Sequence, residues 1–475
     1  LRQADSPRER NPYRRSETNG TVPSPSLFWI GLALITALRL LIAAFLPLTQ
    51  NEPYYWLWAT HPALGYYDHP PLMAWLSMPL VPLGVAPLVV RMPALLCSTL
   101  CAVLVYLYAR RLTRDDGAAT VAGLALLAAP YYTVMAVLAW PESALLVAWA
   151  WTLLAWQSAI FDDGAPGAAS RWAHAGLALG CCLLAKFTSF ALLFGLGLFF
   201  IASPGARRRW LVTPWPWLAL LVALGVYSPF LYWNSQHEWQ TFLFQAKERG
   251  AEPVTFYPVN MLKLVGEALA GLSPLIGAAL VPAVRVAARR ALAPVEGEPL
   301  RLALLVSLPA PLAFLLVSPF KIVQLYWMLT CFLTLFPLLG TWYAERARGA
   351  DTAKWRRRAL IAVGVAVFPL LVMGTAALTP RLLFTLAGRP QGSGLTEMYG
   401  YPEIPALLEQ EAATTAHPDQ VFFAAEDHRL ASQLALRQPR PVLMFGYSMR
   451  GKEYLRWQRP LEQRGHDCVL LMRQP

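Results

Sequence analysis

From residue 26 nearly to residue 380 the chain is a succession of apolar runs, most of them long enough to cross a bilayer and separated by short polar segments. One hydrocarbon crossing takes about 20 apolar residues in helical form. A chain built this way folds as an all-α polytopic membrane protein. Composition agrees, with 56% hydrophobic and only 14% charged residues, where soluble domains carry about 25% charge. That excludes an ordinary soluble enzyme. The net charge of +12 would suggest a nucleic-acid partner in a soluble protein, but the Lys and Arg residues cluster between apolar runs. The positive charge therefore reads as topology, with no nucleic acid implied.

Counting runs gives about eleven spans, near 26–47, 92–111, 118–136, 143–160, 173–185, 188–203, 214–233, 259–282, 302–319, 323–343 and 359–379. Arg110, Arg111, Arg114, Arg207 to Arg209, Arg285, Arg289, Arg290, Arg301 and Arg346 all fall on the side of the basic arm 1–25. By the positive-inside rule that side is cytoplasmic. The loops 48–91, 137–142, 234–258 and 318–322, with the segment 381–475, are then expected outside or in the periplasm. An odd span count fits a cytoplasmic N-terminus and an exported C-terminus.

The transmembrane region is expected over 26–380. After it, QVFFAA, PVLMF and CVLLM are strand-length apolar runs alternating with helix-like stretches near 426–437 and 453–463. They predict a small exported α/β domain over 381–475. The six cysteines lie in apolar runs or stand alone, so neither a disulfide framework nor a CxxC clip is implied.

Polar residues that hydrophobicity cannot explain mark the candidate site. The segment QNEPYYWLWATHPALGYYDHPPLMAWL sets Asn51, Glu52, Asp68 and His69 among Tyr54, Tyr55, Trp56, Tyr66 and Tyr67. Rings alone would be an interfacial belt. Two acids bracketed by rings and followed by Pro70 and Pro71 point instead to recognition of a sugar or headgroup. Glu142 in WPE either carries out chemistry or favours the N-terminus of the next helix. Lys186 and Lys321 lie where an ammonium is costly unless paired or aimed at an anion, with Tyr326 close to the second. Arg91 either pairs with a loop carboxylate or snorkels. Trp233, Asn234 and His237, after the seventh span, suit a polar headgroup. A divalent metal among Glu52, Asp68, His69 and His237 is conceivable, but no HxxxH or HExxH spacing supports it. No Walker loop, GxGxxG turn or GxSxG is present, which argues against nucleotide chemistry.

With EPYYWLW, YYDHPPLMAWL, VRMPALL, WPE, AKFTS and SPFLYWNSQHEWQTFLFQ in this order, the chain resembles the bacterial membrane glycosyltransferases of the GT-C fold. The group includes protein O-mannosyltransferases and the aminoarabinose and galacturonate transferases of lipid A and lipopolysaccharide core. The resemblance implies a polyprenyl-phosphate-linked sugar donor and an exported glycolipid, glycan or protein acceptor. It also implies a site at the outer face of the inner membrane and an inverting displacement. On it, Glu52, Asp68 and Glu142 are the candidate bases, Glu52 and Asp68 leading; Lys186, Lys321 and Arg91 are candidate donor-phosphate contacts. Asn51, Tyr54, Tyr55, His69, Trp233, Asn234, His237 and Tyr326 are expected to line the site. One departure stands out: relatives carry Asp-Glu where this chain has Asn51-Glu52, and an amide cannot accept a proton at neutral pH. The competing readings are a transporter or flippase of lipid-linked sugars, and a catalytically diverged member, which Asn51 keeps open; transporters commonly carry inverted repeats, and no repeat is apparent.

Overall fold

The computed structural model describes residues 23–162, 167–248, 255–349, 370–379, 403–446 and 451–472, with a few isolated positions between. Among the described residues, six helices are long and apolar enough to cross a membrane: Pro25–Phe45, Pro87–Thr113, Pro141–Phe161, Trp215–Gln236, Glu298–Val317 and Leu325–Ala347. Three bent pairs raise the number to nine if each is one span. Ala168–Ala185 occupies the place of the expected fifth span. Most of 359–369, the arm 1–22 and the linker around 387–400 lie outside the described residues.

The bends correct the reading of 118–136 and 259–282 as continuous spans. Asp116–Ala128 and Pro130–Val137 meet at 66°, Phe187–Ala202 and Pro204–Trp210 at 99°, and Val259–Leu272 and Pro274–Arg290 at 100°. Every break is followed by a proline at the start of the second helix. Proline supplies no N–H to the preceding turn and pushes the residue before it out of helical geometry; Ala129 is accordingly extended, and Ser273 adopts φ +71°. The Ser273 hydroxyl caps the new helix by accepting from the Ile276 N–H at 3.3 Å. Hydropathy does not register the breaks at Pro130 and Pro274, because the residues on both sides are apolar, whereas at Pro204 the apolar run ends ahead of Arg207 to Arg209.

Small residues set the closest helix packing. Gly176 and Gly180, one turn apart on Ala168–Ala185, face Ala219 and Ala223 of Trp215–Gln236; a Cβ on Gly176 would stand 2.3 Å from the Ala219 carbonyl. Such small faces substitute for the hydrophobic drive that lipid removes.

Helix Pro87–Thr113 gives the bundle its polarity. Arg91 lies near its start, whereas Arg110 and Arg111 near its end pair with Asp116 and Asp162. At 1.5 Å rise per residue these are about 30 Å apart. The basic residues and the aromatic, acid-bearing loop thus occupy opposite ends.

The C-terminal unit is a parallel three-stranded sheet in the order β2-β1-β3, with β1 Val421–Ala425, β2 Val442–Met444 and β3 Asp467–Leu471. These are the three runs predicted as strands. Helices Ile404–Ala412, His428–Ala435 and Gly451–Trp457 accompany the sheet. Its apolar core contains Leu57, which belongs to the first loop.

Candidate functional site

The first loop folds into helix Glu52–Thr60, a turn, and helix Leu72–Ser77. Pro53 opens the first helix, as proline does best where no N–H is required. Every residue from Glu52 to Ala59 is buried. Trp58 stacks on Tyr66 at 4.7 Å and 9°, and the Tyr66 hydroxyl donates to the Trp58 carbonyl at 2.7 Å. Tyr55 meets Trp58 edge-on at 4.8 Å. Such ring pairs add about 0.5–1.5 kcal/mol each beyond burial. Asp68, fully buried, accepts from the Tyr54 hydroxyl at 3.1 Å, and His69 Nε2 stands 3.8 Å from its other oxygen.

The segment after the seventh span closes over this turn. Thr241 Oγ1 donates to the Tyr66 carbonyl at 2.9 Å and Gln245 Nε2 to the Asp68 carbonyl at 2.8 Å. A Cβ on Gly65 would lie 2.7 Å from the Trp233 ring, so only glycine lets the two segments meet. Trp233 stacks on His237 at 4.1 Å. Asn234, expected to line the site, is turned inward: its Nδ2 donates to the Phe230 carbonyl and its Oδ1 accepts from the Thr241 N–H.

Glu52 and Arg91 correct a second expectation. Glu52 accepts from the Thr49 N–H (2.7 Å), the Ala139 N–H (3.1 Å), and Arg91 Nε and Nη2 (both 2.8 Å). A carboxylate has about four lone-pair sites, so none remains for a substrate proton. Arg91 is equally committed: besides Glu52 it donates to the carbonyls of Ala43 (3.1 Å), Leu46 (2.5 Å) and Pro47 (2.8 Å). All five guanidinium N–H groups are engaged, which removes Arg91 from contact with a donor phosphate. The pair pins the first loop to the loop before Trp140.

Lys186 and Glu142 are different. Lys186 sits in extended backbone between helix Ala168–Ala185 and the turn Phe187–Ser189. Its ammonium pairs with Glu142 in the first turn of Pro141–Phe161 and lies 4.5 Å from the centre of the Tyr326 ring. Among the described residues its one hydrogen bond is to Glu142, whereas an ammonium has three donors. Trp140, two residues before Glu142, packs against the cluster of Tyr54, Tyr55, Trp58 and Tyr66. Lys321 is half-buried in the turn before helix Leu325–Cys331, which carries Tyr326. The Asn51 Oδ1 is buried with no hydrogen-bond partner among the described residues. No group of three or more metal-ligating side chains gathers among them.

The helix-like stretch expected near 453–463 is helix Gly451–Trp457, and its place beside the site was not foreseen from the sequence. Its Glu453 carboxylate accepts the Tyr67 N–H at 2.6 Å, beside Asp68, and the Arg456 guanidinium at 3.0 Å. Burial pushes this carboxyl up to about 7, Arg456 and the Tyr67 N–H oppose the rise, and Asp68 adds to it. Trp457 stacks on His61 at 4.7 Å, and His428 meets Tyr54 at 5.0 Å. The local signal was slight, since GKEYLRW reads as any amphipathic helix.

An apolar bundle with an acid-bearing aromatic loop at one end and an α/β unit docked over it has the architecture of the GT-C fold. Residues 68–233 match the family model of dolichyl-phosphate-mannose-protein mannosyltransferases. The fold is similar to the crystal structure of ArnT from Cupriavidus metallidurans in the apo state, at 18% identity and TM-score 0.65, covering 94% of this chain and 90% of that one. The same protein bound to undecaprenyl phosphate matches at 17% identity and TM-score 0.63, with the same coverages. Archaeal oligosaccharyltransferase AglB from Archaeoglobus fulgidus, in complex with an inhibitory peptide and a dolichol-phosphate, matches at 12% identity and TM-score 0.53, covering 88% of this chain and 64% of that one. No curated protein matches the sequence significantly.

Proposed function

We propose that this protein transfers a sugar from a polyprenyl phosphate to an exported acceptor, with inversion. The observation carrying this reading is the buried Asp68 carboxylate, held by Tyr54 in an aromatic cluster that Trp140 links to the Lys186–Glu142 pair. The matched family model and the undecaprenyl-phosphate and dolichol-phosphate complexes of similar folds support a lipid-linked donor. In the proposed step the acceptor oxygen forms a bond to the anomeric carbon as the bond to phosphate breaks. Asp68 takes the hydroxyl proton, and Lys186 stabilises the departing lipid phosphate. A single displacement inverts the anomeric centre. Glu142 and Tyr326 orient the ammonium, while Glu52 and Arg91 hold the loop.

Purified protein in lipid, offered a panel of undecaprenyl-phosphate sugars and a cell-envelope extract, should form new glycosides detectable by mass spectrometry. Asp68→Asn should lower the rate by about 10²–10⁴-fold, the range for a positioned general base. An unchanged rate removes Asp68 from that role. No transfer by folded protein across a broad donor panel, together with movement of labelled lipid across sealed vesicles, would favour transport instead.

The same reading puts the loop end and the C-terminal unit outside a bacterial inner membrane and the N-terminus in the cytoplasm. Cys468 tests it, being exposed on β3 while the other cysteines are buried or half-buried. A membrane-impermeant maleimide should label it in intact spheroplasts; labelling only after lysis would reverse the topology.

A further inference from the structure

Helix Gly451–Trp457 touches three parts of the candidate site at once. Glu453 holds the Tyr67 N–H at 2.6 Å, Lys452 lies 5.1 Å from the Tyr67 ring, and Arg456 lies 5.1 Å from the Trp233 ring. Trp457 stacks on His61, at the other end of the turn that carries Asp68. Elsewhere, Arg429 donates to Gln50 Oε1 at 2.9 Å and Gln433 to the Thr49 carbonyl at 3.1 Å, both ahead of Glu52. With Leu57 inside its core, the C-terminal unit grips the catalytic loop from both ends. An acceptor-binding module has no need of a buried carboxylate on the backbone of the residue next to the candidate base.

We propose that Glu453 is a positioning residue for Asp68, so that the C-terminal unit completes the active site. The inference rests on the reading of Asp68 as the proton acceptor. Glu453 acts through the backbone: its carboxyl on the Tyr67 N–H fixes the peptide plane between Tyr66 and Tyr67, one unit ahead of Asp68, and Arg456 fixes the carboxyl against Trp233. The other titratable or charged groups around it are Lys452 on its own helix, Asp68 and His69 on the turn, His428 across Tyr54 and His237 beneath Trp233. Because burial favours the protonated acid, the docked arrangement is strongest at low pH. It loosens as pH rises through about 7.

Two readouts on the full-length protein in lipid decide the matter, using E453A and E453Q. The first is amide hydrogen exchange of the 64–70 segment, corrected for intrinsic rates, which does not depend on any substrate. E453A should expose this segment while the transmembrane helices keep their protection. In the unmodified protein protection should fall as pH rises through about 7, and in E453Q this dependence should be absent. The second is transfer kinetics. E453A should lower kcat by about tenfold to 100-fold, the scale of a misplacement of about 1 Å, with the donor KM nearly unchanged. E453Q, whose amide oxygen can still accept the Tyr67 N–H, should recover most of kcat. Unchanged exchange at 64–70 in E453A overturns the proposal, as does raised exchange with kcat intact. If the unmodified protein transfers no sugar, the transferase reading fails and the positioning role falls with it; the exchange result still decides whether Glu453 holds the loop.

Discussion

Two helix starts in this protein are built to one plan and serve different ends. In NEP and WPE a glutamate lies beside a proline in the first turn of a helix, and each pairs with a buried cation from another part of the bundle. At the first, Arg91 and Glu52 use every donor and every lone pair on each other and on backbone. At the second, Lys186 has one carboxylate and the face of one ring. The contrast shows that burial of an ion pair does not by itself indicate chemistry. On the proposed function, the count of donors left unmet among the described residues separates a fastener from a reactive group, and guanidinium suits the former because its fork of five N–H groups can be filled by fixed acceptors.

The largest effect should come from Arg91→Ala, which strands Glu52 without its counter-charge and should cost about 3–5 kcal/mol of stability. Thermal unfolding in detergent measures it; full stability with lost transfer would make Arg91 a substrate contact and dissolve the contrast. Lys186→Met comes next, lowering transfer by about 10²–10³-fold, as for loss of one charge-stabilising group. Its stability loss should be smaller than that of Arg91→Ala, because it removes one hydrogen bond where Arg91→Ala removes five. Equal unfolding by the two variants would put both pairs in one category. Arg91→Lys sharpens the comparison: the charge stays and the fork goes, for a loss of about 2 kcal/mol within the range for charge-assisted bonds. Smallest is Tyr54→Phe, which removes the hydroxyl donating to Asp68. About 1 kcal/mol, seen as roughly a fivefold change in kcat/KM, is expected; no change would show that the Tyr54 hydroxyl does not position Asp68.

What the sequence disclosed follows the range of the forces involved. Spans and strands depend on runs of neighbouring residues, so Pro87–Thr113 and β1 to β3 were legible as apolar segments. The bends at Pro130 and Pro274 were not read, since hydropathy averages across them. Within the site, the acids and rings of EPYYWLW and YYDHPP were visible because they lie together in sequence. The roles of Glu52 and Arg91 were not, because saturation depends on carbonyls of Ala43, Leu46 and Pro47 and on the Ala139 N–H. Glu453 was out of reach for the same reason, meeting Tyr67 across 386 positions.

That separation bears on how the protein is made. A ribosome lays down the first loop long before the helix that grips it, and the nascent chain must thread its bundle into lipid in the interval. During that time Leu57 has no core to enter and Asp68 no clamp beside it. A product cut short between residues 403 and 451 would still carry the spans that precede the cut, yet would lack Glu453 on the Tyr67 N–H. On the positioning role proposed for Glu453, the first loop becomes competent only once helix Gly451–Trp457 has folded onto it.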